Sequence, residues 1–475
     1  MIFVTIGAWF ALAGLLTVIV RGKHAAVNLP LWKPVWSDAL PALGLALAVS
    51  ACYGWMARSY FLSDDFVLLA QAHDFSGWRT VFSLGGGDGF FRPLGYISYA
   101  ITARWADWNP GAWHWIGFLI HILNSLLLYF LAAALGYSRF PAALAATLFA
   151  VHGAHPEAAL WMAGRFDLLA TFFVLAALLA FLRSLLPGIH RPLWVGAAFV
   201  AMSAGLLSKE SGYSFVLLAA LILICTGAAR DRRAWLSVLF FSVVTLVAFS
   251  YRWHLLRGIG GYGSISLFPS IKALAFRIWG LLFFPVNWTL PSSFWLIAAL
   301  VTYCIALAKM FLVRTELGLV IFAIGFVFLS ALPAVSQFLI GADLEKSRVL
   351  YLPSAGFCLC LAALARALPL RSRVAVAAVV LGFQVVALEH NLGGWRSASE
   401  TVRAACATAA QCAIGKGARP VVSGLPRTLH GVYVFANGFP ECVAMQTRAA
   451  QLPAPATHAC NFTWDAATAS LKPEQ

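Results

Sequence analysis

The sequence has 475 residues, of which 61% are hydrophobic and 11% charged, and its formal net charge is +15 at pH 7. Soluble domains carry about 25% charged residues, so this composition excludes an ordinary soluble protein. The apolar residues form long uninterrupted runs, which predict membrane-spanning helices rather than the alternating strands of a membrane barrel. Lys and Arg lie mostly in short connections between these runs, which favours control of membrane topology and argues against nucleic-acid binding.

Runs of about 17–20 apolar residues are typical of helices that cross a bilayer, and about twelve such runs are present. Their approximate bounds are 2–20, 39–57, 113–135, 141–157, 167–186, 193–208, 212–228, 234–251, 293–309, 317–335, 351–366 and 374–390. No positively charged segment precedes the first run, so we expect a helix there rather than a secretory signal. The predicted fold class is an all-α polytopic membrane protein.

The charge distribution predicts an orientation. The basic connections fall on one side if the first helix runs inward, and the positive-inside rule assigns that side to the cytoplasm. The long loop 58–112 and the C-terminus then lie on the extracytoplasmic side of a bacterial inner membrane. A short charged segment, 271–279, is predicted to lie as an amphipathic helix in the outer interface.

An acidic pair, Asp64 and Asp65, follows the run 39–57 at a predicted membrane edge. Charged side chains near hydrocarbon are costly and are usually retained for function. Adjacent carboxylates repel each other at a low-dielectric boundary, so the pKa of one should rise unless a cation neutralises it. Such a group suits a general base that accepts a proton from a hydroxyl, whereas the structural alternative is a solvated helix cap.

A second polar cluster holds His152, His155 and Glu157, followed by Arg165 and Asp167. Two histidines and a glutamate can bind a divalent metal ion, but a glycine and a proline interrupt their spacing, which matches no zinc signature. Polar packing is the alternative for the histidines. Arg165 either pairs with Asp167 or binds a phosphate.

Two further clusters combine cations with carboxylates on the same predicted side. Lys209 and Glu210 lie between two apolar runs, and Arg348 lies in a charged stretch beside Tyr351. Lys209 could be only an interfacial anchor. The stretch around Arg348 is either an ordinary polar loop or a phosphate site, in which Lys346 or Arg348 binds through charge-assisted hydrogen bonds. Because no nucleoside triphosphate is supplied outside the inner membrane, a lipid is the simplest carrier of an activated group. These clusters therefore predict a polyprenyl-phosphate sugar as donor.

The composition changes near Asn391 to Ala, Thr, Gly, Pro and scattered charges. We therefore predict a transmembrane domain over 1–390 and a small extracytoplasmic domain over 391–475. Two disulfides could form in an oxidising compartment among four cysteines of this second domain. The sequence leaves all three pairings open for Cys406, Cys412, Cys442 and Cys460.

Several short motifs occur in a fixed order between about residues 39 and 390. They are Ser63-Asp64-Asp65, Phe91-Arg92-Pro93-Leu94, His155-Pro156-Glu157, Gly164-Arg165 with Asp167-Leu168-Leu169, Ser208-Lys209-Glu210 and the stretch from Ser347 to Ser354. Their combination resembles the GT-C superfamily of membrane glycosyltransferases, and most closely bacterial relatives of TMTC-type and protein O-mannosyltransferase-like enzymes. The resemblance implies a GT-C-like bundle of about twelve helices, a dolichyl- or undecaprenyl-phosphate sugar donor and inversion at the anomeric carbon.

The resemblance also implies a catalytic acidic residue in the first outer loop, which corresponds to Asp64 or Asp65, with Asp64 preferred. The tetratricopeptide array of TMTC-type proteins does not follow the helices here, so a glycan, lipid or protein acceptor stays open. Candidate ligands for the departing phosphate are Arg92, Arg165, Lys209 and Arg348. Further polar site residues are His155, Glu157, Asp167, Glu210 and Tyr351.

The only cofactor that the sequence suggests is a divalent metal ion at His152, His155 and Glu157. Two functions other than glycosyl transfer stay open. A transporter or lipid flippase would also use many helices, but it should show broken helices and charges near mid-membrane. A non-catalytic envelope assembly protein would tolerate the loss of both aspartates. The partners expected for the transferase are the lipid-linked donor, its acceptor and membrane lipids, with no nucleic acid.

Overall fold

The computed structural model describes residues 38–75, 77, 81–82, 89–187, 190–260, 269, 272–313, 315, 317–337, 339–416, 419–448 and 459–473. The predicted first helix, 2–20, lies outside these residues. The helices before residue 260 are α1 (Ala39–Tyr53), α2 (Asp64–His73), α3 (Pro93–Ala106), α4 (Pro110–Ala134), α5 (Arg139–Ala150), α6 (Pro156–Ala159), α7 (Arg165–Ser184), α8 (Arg191–Leu206), α9 (Ser214–Cys225) and α10 (Arg232–Leu256). The later helices are α11 (Ile278–Phe283), α12 (Phe294–Phe311), α13 (Leu317–Ala331), α14 (Tyr351–Arg366), α15 (Leu370–Lys416) and α16 (Phe439–Arg448).

The protein is a multi-pass, mostly helical membrane protein. Within the described ranges, 8 helical segments are long and apolar enough to cross a membrane: Ala39–Arg58, Pro110–Ala134, Met162–Ser184, Arg232–Leu256, Phe294–Phe311, Leu317–Val335, Ser347–Arg366 and Leu370–Ile414. Every predicted span within the described residues coincides with a helix, but α5 and α9, with 12 residues each, are shorter than the runs that predicted them. The apolar run 141–157 does not form one continuous span, because the helix ends at Ala150 and a new short helix begins at Pro156.

The centre of the bundle is α14, in which every residue from Tyr351 to Ala365 is buried. It packs against α13 and α5, and its small residues allow close helix contact. A Cβ at Gly356 would lie 2.9 Å from the carbonyl oxygen of Ala323 on α13. Glycine is therefore required where these two helices cross.

The predicted interfacial helix at 271–279 is helical from residue 273, but its second half belongs to the bundle. Ile278–Phe283 forms α11, and all six of its residues are buried. Trp279 packs on Phe328 of α13, and Phe283 packs edge-on against Phe357 of α14. The charged residues Lys272 and Arg277 had suggested a surface position, whereas the apolar sequence that follows them is core.

The long loop 58–112 is not irregular, because it contains α2 and α3. Likewise, α15 has 47 residues and runs without a break through residue 391, the predicted start of the second domain. A helix of this length extends about 70 Å, more than twice the thickness of a bilayer core. The change of composition near Asn391 therefore falls inside a helix.

After α15 the chain forms a small region that we call the C-terminal lobe, described over 419–448 and 459–473. Strand β1 (Arg419–Ser423) pairs in parallel with β4 (Ala459–Asp465), with Arg419 opposite Ala459, and β4 pairs antiparallel with β5 (Ser470–Pro473). Between them, β2 (Thr428–Leu429) and β3 (Val432–Tyr433) form a hairpin, followed by α16.

Two disulfides join the lobe to the end of α15, and they settle the pairing that the sequence left open. Cys406 bonds to Cys442 of α16, and Cys412 bonds to Cys460 of β4. Both elements of the lobe are thereby fixed to the same helix. The lobe also packs on the bundle, where the carbonyl oxygen of His430 accepts a hydrogen bond from Asn287 at 2.8 Å.

Candidate active site

The two carboxylates of the acidic pair have different surroundings at the start of α2. Asp65 is 1% exposed, and its oxygens accept hydrogen bonds from the backbone N–H groups of Leu62 and Ala163, both at 3.1 Å. Asp64 is partly exposed, and its Oδ1 accepts a hydrogen bond from Nδ2 of Asn437 at 2.7 Å. Asp65 therefore joins two segments of the fold, while Asp64 remains accessible.

The expectation that one carboxyl of the pair has a raised pKa is met by Asp65. Burial is the main cause and raises the pKa of Asp65 well above its ordinary value. The N–H donors of Leu62 and Ala163 oppose that rise, and the charge of Asp64 makes a smaller contribution. Desolvation, rather than repulsion by the neighbouring carboxylate, is thus the main cause of the raised pKa of Asp65.

The turn before α2 is held by the C-terminal lobe. Ser63 has a φ of 47°, a backbone conformation that costs a non-glycine residue about 1–3 kcal/mol. Its N–H donates to the carbonyl oxygen of Val434 at 3.2 Å, and its Oγ accepts from the N–H of Asn437 at 3.3 Å. A Cβ at Gly438 would lie 2.4 Å from the carbonyl oxygen of Ser63, so glycine permits this close contact.

Lys209 precedes the turn into α9 and pairs with Asp167 in the first turn of α7. Its Nζ lies 2.5 Å from Oδ2 of Asp167, and both side chains are buried. Burial lowers the pKa of Lys209 to about 8, although the charge of Asp167 opposes the shift. Lys209 therefore carries its charge at neutral pH and loses it in mildly alkaline solution.

Arg92 lies at the N-terminus of α3 and shares a carboxylate with a second arginine. Its Nη2 lies 2.7 Å from Oε2 of Glu210, while Nη2 of Arg252 lies 2.9 Å from Oε1 of the same residue. The guanidinium of Arg92 also lies 4.0 Å from the ring centre of Phe90, a cation–π contact. Two arginines therefore bind the two oxygens of one carboxylate.

Arg348 lies just before α14 and pairs with Glu157 of α6. Glu157 is buried, and it also accepts hydrogen bonds from Oγ of Ser347 and the N–H of Arg348, each at 3.2 Å. The guanidinium of Arg348 lies 4.7 Å from the ring centre of Trp161 and 5.8 Å from that of Tyr433 in the C-terminal lobe. Its position is therefore fixed by the bundle and the lobe together.

These groups meet in a cavity of about 650 Å³. Three cations, each paired with a buried carboxylate behind it, line the wall that the bundle forms. The lobe contributes a second wall through Asn437, Gly438, Pro440 and Glu441. The lining residues are Asp64, Val67, Leu68, Gln71, Phe90, Arg92, Trp161, Ala163, Phe166, Lys209, Arg348, Asn437, Gly438, Pro440 and Glu441.

Of the predicted site residues, Asp64, Arg92, Lys209 and Arg348 line this cavity. The predicted residues Asp167, Glu157 and Glu210 do not line the cavity, but they form ion pairs with Lys209, Arg348 and Arg92, respectively. Arg165 does not line it: its guanidinium donates to Oγ1 of Thr102 at 3.0 Å and lies 4.7 Å from the ring centre of Tyr99 and 4.9 Å from that of Trp113.

The predicted histidines and Tyr351 belong to the interior of the bundle. Nε2 of His155 lies 2.8 Å from Oγ of Ser354, and the hydroxyl of Tyr351 lies 2.6 Å from Nδ1 of His121. His152 lies 3.1 Å from the carbonyl oxygen of Leu282. Across the residues that the structure describes, no group of three or more His, Cys, Asp or Glu could hold a metal ion.

Sequence reasoning missed Asn437, Glu441 and Arg252. Asn437 lies 373 positions from Asp64, and nothing local to either residue connects them. The dipeptide Asn437-Gly438 indicates a turn, but not what the turn contacts. Arg252 directly follows the predicted span 234–251, where a basic residue at a membrane edge is ordinary, whereas the helix continues to Leu256 and buries it.

No protein-family model matches the sequence. The chain is similar to the protein O-mannosyl-transferase Tmtc1 of Drosophila melanogaster, with 30% identity over 156 residues, or 32% of this chain and 18% of that protein. It is also similar to the protein O-mannosyl-transferase TMTC3 of Homo sapiens, with 27% identity over 225 residues, or 42% of this chain and 24% of that protein. The resemblance to TMTC-type proteins predicted from the motifs is thus confirmed, although the chain spans less than a quarter of the length of these relatives.

Two solved structures also align with most of the chain. They are ArnT from Cupriavidus metallidurans bound to undecaprenyl phosphate and the same protein in the apo state. The bound structure has a TM-score of 0.44 and 15% identity, and the alignment covers 87% of this chain and 89% of that one. The apo structure has a TM-score of 0.47 and 14% identity, with 90% and 93% covered.

Proposed function

We propose that the protein is a GT-C-type glycosyltransferase that moves a sugar from a polyprenyl-phosphate donor to an acceptor hydroxyl at the extracytoplasmic face of a bacterial inner membrane. The observation that carries this proposal is one cavity that is lined by an accessible carboxylate, Asp64, and by three cations. The sequence similarity to TMTC-type transferases supports the same class of reaction. The charged residues of the cavity lie at helix ends, whereas a transporter should carry them near mid-membrane.

The three cations suit a phosphate that gains negative charge as it leaves. Arg92 and Arg348 present planar guanidinium groups that match phosphate oxygens, and Lys209 adds a compact charge. Each is already paired with a buried carboxylate, so little side-chain reorganisation is needed when the donor binds. Preorganised donors aimed at developing charge are usually the largest electrostatic contribution to catalysis.

Asp64 is proposed as the general base. Its Oδ1 accepts a hydrogen bond from Asn437, which orients the carboxylate in the cavity. Asp64 takes the proton of the acceptor hydroxyl while that oxygen forms a bond to the anomeric carbon. The bond between the anomeric carbon and the phosphate oxygen breaks, and the phosphate leaves with the electron pair. Attack opposite the leaving group inverts the anomeric configuration.

Asp65 is proposed to position the base without touching substrate. Its two oxygens bind backbone N–H groups from Leu62 and Ala163, and this joins the turn before α2 to the segment before α7. Asn437 orients the neighbouring Asp64 from the C-terminal lobe. The base is therefore held from the bundle side and from the lobe side.

The proposal is tested by transfer of labelled sugar from polyprenyl-phosphate donors in right-side-out and inverted membrane vesicles. Asp64→Asn removes the base and should lower the rate by about 10²–10⁴-fold, the usual contribution of general-base catalysis. Wild-type transfer should appear when donor and acceptor reach the extracytoplasmic face. Unchanged transfer by a folded Asp64→Asn variant, or no transfer by the wild type with any such donor, would contradict the proposal.

A further inference from the structure

A second cavity of about 700 Å³ lies beside the turn that connects α1 to α2, and we call it the arginine groove. It shares no lining residue with the cavity that contains Asp64. Its lining residues are Gly54, Trp55, Ala57, Arg58, Asn109, Pro110, Gly111, Trp115 and Arg403. No carboxylate is among them.

The groove lies where two candidate membrane spans meet the membrane surface. One span ends at Arg58 and another begins at Pro110, and both residues line the groove. Trp55 and Trp115 lie about one helical turn inside these ends, and each is 45% exposed. Exposed tryptophans at this depth are typical of the headgroup level of a bilayer.

The two arginines of the groove have no acidic partner among the described residues. Arg58 and Arg403 are both exposed. Nη2 of Arg403 donates to the backbone carbonyl oxygen of Arg58 at 3.0 Å, and its guanidinium lies 5.3 Å from the ring centre of Tyr60. Trp55 hydrogen-bonds Glu389, a residue that does not line the groove. The groove thus presents two positive charges that no side-chain carboxylate neutralises within it.

We propose that the arginine groove binds the phosphate headgroup of an anionic phospholipid from the surrounding bilayer. Guanidinium groups bind phosphate through paired N–H donors. Basic pockets between membrane helices are suited to anionic headgroups. The exposed tryptophans supply apolar surface for the upper part of the acyl chains, which a free phosphate ion cannot use. This site is independent of the proposed transfer reaction.

The test uses the full chain, purified in a neutral detergent and mixed with phosphatidylglycerol or phosphatidylcholine. Native mass spectrometry measures how much of each lipid stays bound. The wild type should retain phosphatidylglycerol in preference to phosphatidylcholine. Loss of one arginine, in Arg58→Gln or Arg403→Gln, should weaken phosphatidylglycerol binding about five-fold, and loss of both about thirty-fold.

Arg396→Gln is the matched control, because Arg396 lies on the same helix as Arg403, is exposed, and already pairs with Glu400 at 2.9 Å. It should bind phosphatidylglycerol like the wild type. The salt dependence of wild-type binding needs no variant: added salt should weaken phosphatidylglycerol binding and leave phosphatidylcholine binding unchanged. Equal retention by the double variant and the wild type would overturn the proposal, and so would displacement of phosphatidylglycerol by inorganic phosphate beyond that caused by sodium chloride at the same ionic strength.

Discussion

The two walls of the Asp64 cavity come from regions of very different sequence. The bundle wall supplies Arg92, Lys209 and Arg348, each at the end of a helix and each held by a buried carboxylate. The lobe wall supplies Asn437 and Glu441 from a polar segment that two disulfides fix to α15. The first wall has the chemistry to bind a phosphate, and the second orients the carboxylate. Removing groups from the bundle wall should therefore weaken the binding of the phosphate, and removing groups from the lobe wall should disturb the orientation of Asp64.

The largest effect in the bundle wall should follow from neutralising a whole ion pair. Arg348→Gln alone would leave Glu157 buried and unpaired, which is strongly destabilising. The double variant Arg348→Gln/Glu157→Gln removes both charges and should lower transfer about 10²–10³-fold with little loss of folded protein.

The matched control is Arg191→Gln/Asp231→Asn, which removes an ion pair of 3.0 Å whose residues do not line the cavity. Transfer is measured for both double variants at equal amounts of folded protein. The control should transfer at the wild-type rate. If both double variants lost transfer equally, the phosphate role of Arg348 would be refuted.

The lobe wall should have a smaller effect. Asn437→Ala removes the hydrogen bond to Asp64 and should lower transfer about ten-fold, as expected for one bond to a charged group. Gln446→Ala is the control, because Gln446 donates to the hydroxyl of Tyr60 at 2.6 Å from the same lobe but does not line the cavity. An equal loss in both variants would assign Asn437 a structural role only.

Asp65→Asn should affect stability rather than chemistry. An Asn side chain can accept only one of the two backbone hydrogen bonds, and its amide group would face the other N–H donor. The free energy of unfolding should fall by about 1–3 kcal/mol, while the folded fraction keeps most of its transfer rate. Chemical unfolding together with a transfer assay measures both quantities. Full stability with abolished transfer would instead make Asp65 the base.

The smallest effect is on the pH profile. Lys209, whose pKa burial lowers to about 8, is charged below that pH and neutral above it. Transfer should decline as the pH rises through this value, because the phosphate loses one cationic partner. Lys209→Arg stays charged and should abolish this decline. An unchanged profile in that variant would show that another group causes the decline.

The sequence predicted Lys209 and Arg348 because each lies between two apolar runs, whereas Arg92 was identified by the Phe91-Arg92-Pro93-Leu94 motif within the long loop 58–112. Lys209 and Arg348 lie in short polar connections between hydrophobic helices, where a charged side chain is costly and therefore indicates a functional role. Arg165 occupies an equivalent break, but its side chain turns inward to Tyr99 and Trp113. The direction of a side chain at a helix start depends on tertiary packing, so the pattern alone could not separate Arg165 from the other cations.

The lobe wall could not be predicted in the same way. Asn437 is one polar residue in a polar segment, and its contact with Asp64 spans 373 positions. The disulfide pairing could not be predicted either, because it depends on how α16 and β4 pack against the end of α15. The composition change near Asn391 predicted a small domain over 391–475, but not that residues of the C-terminal lobe line the cavity.

The central claim is that Asp64 is the base and that the lobe acts through it. The most direct test is a double-mutant cycle of transfer rates for the wild type, Asp64→Asn, Asn437→Ala and the double variant. We predict that Asn437→Ala costs about ten-fold in the wild type and nothing once Asp64 is replaced. The same ten-fold loss in both backgrounds would contradict the claim, because Asn437 would then act independently of Asp64.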